Sequence, residues 1–504
     1  MSGHRRASSV ARTAWLLLLF NVGCAGAAAT NAHTERPAPP PLPWVAEREA
    51  PREVRSPLVA LVGGTVMTAA GPIIEDGVVV MRDGRLVAVG PRAEVAIPEG
   101  AEVVDVSGRF VTPGVIDTHS HMGVYPAPHV RAVSDGNEMS DPTTPEVRAA
   151  DAFWPQDPQL ARALAAGVTT IQVLPGSGNL IGGAGVIVKL HLGRTIDEMR
   201  FVGAPETLKM ACGENPKRVY GQERHVAPMT RMGNVFGYRQ AFQQAIEYGA
   251  AWENWQGQHQ QWQVHRAEYD EAEGEGGEGD DAAEDPGPAP VPPARDYGLE
   301  RLLNARSGDT LIQMHCYRAD EMVRMIEIGD ELGFSIRAFH HAIEAYKIRD
   351  ILAERAIGVS TWADWWGFKL EAFDTVEENL ALLTESNVRA VVHSDSAMLV
   401  QRLNQEAAKA MTAGRRAGIP ISEDQALRWF TANAAWTLGI GEQTGSLEVG
   451  KMADVTVWSA NPFSVYAHAD RVYIDGLLRF DRSAPPPRTD FELGLDLETV
   501  GGAP

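Results

Sequence analysis

The chain has 504 residues, 44% of them hydrophobic and 22% charged, the balance of a globular protein large enough for one barrel plus an accessory domain. The formal net charge of -21 argues against nucleic acid or an anionic lipid surface as the main partner. With only three cysteines, Cys24, Cys212 and Cys316, the fold must rest on its core rather than on a disulfide framework.

Residues 1–29 read as an export signal. His4, Arg5, Arg6 and Arg12 make a positive start, residues 15–20 are a short apolar run, and small residues follow at 23–27. The run is too short to span a bilayer as a mature helix. Val22-Gly23-Cys24 resembles a bacterial lipoprotein processing site with Cys24 as the lipidated residue. Asn21 departs from the aliphatic residue usual there, and plain cleavage near Ala27 to Ala29 is the alternative. Either way we expect an exported protein, periplasmic or anchored to a bacterial membrane through Cys24. Residues 30–56, rich in Pro, Ala and Glu, read as a linker.

Residues 57–112 show short strands and tight turns. A strand over 58–62 ends at Gly63-Gly64, and one over 77–81 ends at Asp83-Gly84, a hairpin signal. Strands over 86–89 and 103–106 follow. This module is too small for a core of its own. Residues 453–458 and 472–478 supply further strands, so we expect a composite β-sandwich built from residues 57–112 and 439–482, with a tail over 483–504.

Between them, residues 113–438 alternate strands with helices, the pattern of α/β architecture with a parallel sheet. Strands are predicted over 110–116, 168–174, 208–212, 310–314, 335–339, 357–361 and 388–392, with a helix over 319–332 carrying Met322, Ile326 and Leu332 on one face. An eighth strand falls at 186–190 or at 199–202. A right-handed (β/α)8 barrel is the simplest closure. Cys212 and Cys316 lie in or beside predicted barrel strands and read as two buried free thiols. Residues 268–295 break the pattern: ten acidic residues, from Glu268 to Asp285, sit among Gly, Ala and Pro. We expect a disordered surface insertion there, after a helix over 240–266.

The chemistry gathers at strand ends. His119 and His121 are two residues apart at the end of an apolar run, so a strand would point both imidazoles to one face. His315, His340 or His341, and Asp395 fall at the C-terminal ends of other predicted strands, the active face of a barrel enzyme. One such histidine is ordinary, but several converging on one face point to a metal site.

These residues, with Asn179-Leu180-Ile181-Gly182-Gly183, the segment from Lys209 to Lys217, His315-Cys316-Tyr317-Arg318-Ala319, His341-Ala342-Ile343-Glu344-Ala345-Tyr346-Lys347, His393-Ser394-Asp395-Ser396 and the closing stretch from Gly445 to Asp454, resemble the amidohydrolase superfamily, nearest to its imidazolonepropionase-related members. The resemblance covers residues 58–482. It implies that His119, His121, His315 and His341 hold divalent metal, one or two ions per chain. It also implies that Asp395 binds metal and moves a proton. His341 is preferred to His340 because it opens the seven-residue segment just quoted. Zinc is the expected ion, since mixed nitrogen and oxygen ligation suits it. A bridging ligand is implied on a middle strand, either Lys209 in carboxylated form or Glu214, with the resemblance favouring Lys209. Arg318 is a candidate clamp for a substrate carboxylate, with Tyr317, Arg218, Tyr220 and Arg231 as further contacts and Trp362, Trp365 and Trp366 as pocket walls. The expected activity is hydrolysis of a C–N bond in a peptide-like or cyclic amide of a small molecule. A deaminase, or a non-catalytic metal- or ligand-binding surface lipoprotein, are the alternatives. Self-association into a homo-oligomer completes the expected partners.

Overall fold

A computed structural model describes residues 55–274, 284–365 and 367–484. The expected export signal, Cys24, most of the expected linker, the centre of the acidic insertion, Trp366 and the tail from 485 lie outside the described residues. Among the described residues, no helix is long and apolar enough to cross a membrane.

The chain opens with β1 (Val59–Val66), β2 (Ile74–Arg82), β3 (Arg85–Pro91), β4 (Glu102–Asp105) and β5 (Phe110–Pro113). The β2–β3 turn is Asp83-Gly84, and both residues adopt positive φ, as a two-residue hairpin turn requires. Gly63-Gly64 does not end β1, as the sequence suggests. Gly63, at φ +89°, lies beside a register shift, and the strand continues to Val66. The bulge lets one strand serve two partners: Val59 to Val62 pair with β4, and Thr65 and Val66 pair with β5.

The barrel follows with β6 (Val115–Ser120), β7 (Val168–Val173), β8 (Ile181–Lys189), β9 (Glu206–Ala211), β10 (Thr310–Cys316), β11 (Ile336–His341), β12 (Gly358–Thr361) and β13 (Ala390–Val392), hydrogen-bonded in that order. The third strand is β8, which takes Val186 and begins earlier than expected. It runs antiparallel to both β7 and β9, so the barrel is not uniformly parallel. The reason is the connection. Residues 174–180 are enough to turn a chain back but too few for a parallel crossover. The glycines at 182, 183 and 185 therefore belong to a strand and not to a loop. Gly183, at φ +104°, has Val147 O 2.5 Å from where a Cβ would sit. The first and last strands meet without a ladder, through Asp395 N donating to His119 O at 3.0 Å.

The C-terminal strands are β14 (Val455–Trp458), β15 (Ala469–Ile474) and β16 (Leu477–Asp481). The sequence suggests one strand over 472–478. A second Asp-Gly turn, Asp475-Gly476, instead folds it into a hairpin. β14 pairs antiparallel with β5, and Trp458 Nε1 donates to Thr112 Oγ1 at 2.8 Å. Both ends of the chain thus join one eight-stranded sheet in the path β16-β15-β14-β5-β1-β2-β3, with β4 beside β1.

Two further expectations are corrected. The helix after β9 runs Arg231–Gly274, so the start of the acidic segment is helical. Residues 284–295 pack back onto it: Trp255 Nε1 donates to Pro290 O at 2.9 Å and Trp262 Nε1 to Gly287 O at 2.8 Å. Pro286, Gly287, Pro290 and Pro293 are the partly buried positions there. Second, Cys212 and Cys316 are not free thiols but a disulfide, with Cα atoms 5.2 Å apart. The register pairs Ala211 with His315, so the next residue of each strand faces the other. Sequence alone does not reveal that these two strands are neighbours.

Candidate metal centre

Eight side chains converge at the C-terminal end of the barrel: His119, His121, Lys209, His315, His340, His341, His393 and Asp395. The strands place them. β6 carries His119 inside and hands His121 to the rim; β9 carries Lys209; β10 carries His315 one residue before its end, and β11 ends on His341. Two sets lie close enough for one ion each: His119, His341 and Asp395, and His119, His340 and His393.

Hydrogen bonds fix the tautomers. Gln313 Nε2 donates to Thr437 O at 3.1 Å, which orients the amide and leaves Oε1 to accept from His340 Nε2 at 2.7 Å. Neutral His340 then accepts at Nδ1 from His119 Nδ1–H at 2.9 Å. His119 Nε2 is left with its lone pair, 3.2 Å from Lys209 Nζ and 3.6 Å from Asp395 Oδ1. His121 reaches the same state separately. Its Nδ1–H donates to Leu174 O at 2.8 Å, and its Nε2 lies 3.2 Å from Asp395 Oδ1. Both imidazoles of the His-Ser-His step thus present nitrogen lone pairs to one point. Orientation of a ligating histidine through its other nitrogen is the usual supporting shell of a metal site.

The electrostatics agree. Burial holds His119, His315, His340 and His341 well below the ordinary histidine range, and His393 at about 4, so these rings are neutral near pH 7. Burial also lowers the Lys209 amine to about 7. At Asp395 burial acts upward, but His121, 3.2 Å away, and the other groups around it outweigh burial and hold the carboxyl below its usual value. The buried Nδ1 atoms of His315 and His393 have no hydrogen-bond partner. A set of neutral imidazoles, one carboxylate, a buried amine and unpartnered ring nitrogens fits a divalent cation.

The backbone is strained where it delivers these groups. His341 (φ +69°), Ala342 (φ +35°) and Asp395 (φ +49°) occupy the left-handed region without being glycine. Asp117, buried one step inside the barrel, accepts from Ser394 N at 3.0 Å and from His119 N at 3.3 Å, tying the strand of His119 to the segment of Asp395. Burial pushes its carboxyl up to about 6.

Of the alternatives left open, His341 faces Asp395 Oδ2 at 3.9 Å while His340 orients His119 from inside the barrel. Lys209 sits in the cluster. Glu214 does not; it lies at the mouth, 3.4 Å from Lys369 Nζ. Tyr317 stacks on His341, centroids 5.2 Å apart at 18°. Trp362 stacks on the same ring at 4.5 Å, and Trp365 lies against Trp362. Arg318 is not in the cluster: its fork is occupied by Asp320 at 2.9 and 3.0 Å. Arg218 pairs with Glu223, and Arg231 with Glu321 and Glu371. Tyr220 donates to Asp141 O and Asn179 Oδ1. Sequence reasoning missed Asp117, Gln313 and Lys369. Asp117 stands two residues before His119, and its polarity in an apolar run was the available signal. Gln313, two residues before His315, had the same parity signal. Nothing marked Lys369.

The amidohydrolase family profile matches residues 110–479. The chain is 33% identical over 423 residues to amidohydrolase tasK of Hapsidospora irregularis, covering 81% of this chain but only 40% of that relative's length. It is 23% identical over 413 residues to an imidazolonepropionase of Sphingopyxis alaskensis, covering 77% of this chain and 87% of the relative. Among solved structures, an amidohydrolase from Thermotoga maritima MSB8 superposes with a TM-score of 0.70 at 34% identity, covering 84% of this chain and all of that one.

Proposed function

Because the chain belongs to the amidohydrolase family, related to imidazolonepropionases, we propose that it hydrolyses a C–N bond of a peptide-like or cyclic amide at a divalent metal centre, with zinc as the ion. The observation that carries the reading is the pair of lone-pair nitrogens, His119 Nε2 and His121 Nε2, meeting Asp395 Oδ1 at 3.6 and 3.2 Å. His119, His121, His341 and Asp395 would hold metal, with His315 beside them. Lys209 would join as a carboxylated lysine. Its amine, at about 7, is largely neutral at slightly alkaline pH, the form whose nitrogen lone pair bonds to carbon dioxide with loss of one proton. A bound divalent ion supplies Lewis acidity toward water and the scissile carbonyl.

The protein's own part is proton transfer and orientation. Asp395 is anionic and faces the point where His119 and His121 converge. It takes the proton of the attacking water and returns it to the leaving nitrogen. Asp117 and Ser394 hold the Asp395 segment against the strand of His119. Tyr317 and Trp362 wall the site with flat apolar surface against His341.

The deaminase alternative draws no support from Glu344. Its carboxylate accepts from Ala319 N at 3.0 Å and faces Lys347, away from the cluster. Export, with Cys24 as a lipid anchor, remains part of the proposal on the sequence pattern alone, and so does self-association. A screen of N-acyl amino acids, dipeptides and cyclic amides, read separately for new carboxylate and for ammonia, tests the activity. Carboxylate and amine without ammonia supports amide hydrolysis. Ammonia as the sole nitrogen product would replace it with deamination.

A further inference from the structure

The mouth of the site carries a charged network that the metal centre does not use. Lys369 extends over the face of Tyr317, its Nζ 4.0 Å from the ring centroid, and the same ring stacks on His341. The ammonium donates to Asn215 Oδ1 at 3.1 Å, and Asn215 Nδ2 lies 3.4 Å from His315 Nε2 and 2.8 Å from Ser177 Oγ. The lysine is therefore one side chain removed from a metal-facing histidine, with its own side chain only 16% exposed.

Its ionic partners are unequal. Glu371 lies 3.8 Å away, but it is 2% exposed, paired with Arg231 and packed under Gly213, where a Cβ would approach its carboxylate oxygens to 2.9 Å. Glu214, 3.4 Å away, is 27% exposed. Two cations, Lys369 and Arg231, thus face three carboxylates, Glu214, Glu321 and Glu371. Burial, reinforced by Glu371, pushes Glu321 up to about 6. Glu214 is the most exposed of the three and the one the network can release.

We propose that Lys369 reads the charge of the substrate: its ammonium takes a carboxylate of the substrate in place of Glu214, so the site selects amides that carry a free carboxylate near the scissile bond. This rests on the amide-hydrolase reading above and names its substrate class. It also gives the carboxylate clamp, expected at Arg318, to a residue in the mouth. Glu214 becomes the occupant that a substrate displaces and not a metal ligand.

The test is binding, not turnover. N-acetyl amino acids with aliphatic, aromatic and basic side chains are titrated against their carboxamides into the metal-loaded full chain, followed by calorimetry. The free acids should bind about tenfold or more tightly than the matching amides, the worth of one charge-assisted contact. Lys369→Met should erase that ratio while metal content stays at the wild-type value. Glu214→Gln should tighten the acids and leave the amides unchanged, a gain that a merely structural role for the network would not produce. Equal binding of acids and amides by the wild type, binding of neither, or a ratio that survives Lys369→Met overturns the proposal. Charge discrimination without hydrolysis of any amide would remove the catalytic reading and leave Lys369 standing. Hydrolysis without discrimination would do the reverse.

Discussion

The lone pair that His119 turns to the centre is set by a relay of neighbours. The Nδ1–H of His119 is consumed by His340, whose own tautomer is set by Gln313, whose amide is set by Thr437 O. Gln313→Leu should therefore weaken metal binding about 10- to 100-fold, as loss of an outer partner does, with little change in fold. Gln313→Glu keeps the acceptor and should retain most of the affinity; competition with a chelator measures both. Asp395→Asn keeps the shape but loses the proton acceptor. It should lower kcat about 10²- to 10⁴-fold, with circular dichroism unchanged. Wild-type kcat in that variant would remove Asp395 from the chemistry.

At the scale of elements, the disulfide joins the ends of β9 and β10, which deliver Lys209 and His315. It closes a loop with a sequence separation of 104. In the chain-entropy account such a loop is worth about 4–5 kcal/mol, an upper figure for a bridge in a large core. Cys212→Ser with Cys316→Ser should lower the thermal midpoint. An unchanged midpoint, or two titratable thiols in the unreduced wild type, would contradict the bridge. The elements also show what a single sequence can and cannot say. Both Asp-Gly turns follow local rules, and the first was legible at once. The second was hidden because its flanking residues read as one apolar run. β8 overlaps the first of the two stretches the sequence offered, 186–190, but its direction was not legible, because periodicity reports a strand and not its direction, which the seven-residue connection decides. Most of the candidate ligands were legible because they fall at or just past the end of a strand, a local feature. The disulfide, the Asp117–Ser394 tie and Lys369 depend on which strands are neighbours, and no local pattern carries that.

At the scale of the molecule, the barrel and the terminal sheet are locked by a buried charge cluster. Lys189 Nζ, at the end of β8, meets Asp454 at 3.1 Å and Asp475 at 2.5 Å, and His191 Nε2 meets Asp475 at 3.0 Å. Burial acts upward on Asp475, but hydrogen bonds from His191 and Lys189 with the Lys189 charge hold it at about 2, below the ordinary 3.8. A carboxyl depressed by folding contributes stability above its unfolded pKa and loses it as pH falls toward the folded value. The contribution is thus full above about pH 4 and fades between about 4 and 2. Asp475→Asn should be less stable than wild type at pH 6, with the gap closing across that window. A gap independent of pH would contradict the linkage.

The central claim is that neutral histidines, Lys209 and Asp395 form a metal-holding hydrolytic site with Glu214 outside it. Elemental analysis of the purified chain beside Lys209→Ala and Glu214→Ala tests it most directly. We predict about one to two divalent ions per wild-type chain, reduced in the lysine variant and unchanged in the glutamate variant. Loss of metal in Glu214→Ala alone would reassign the bridge and undo the role given to Lys369. No bound metal after loading with zinc would contradict the account as a whole.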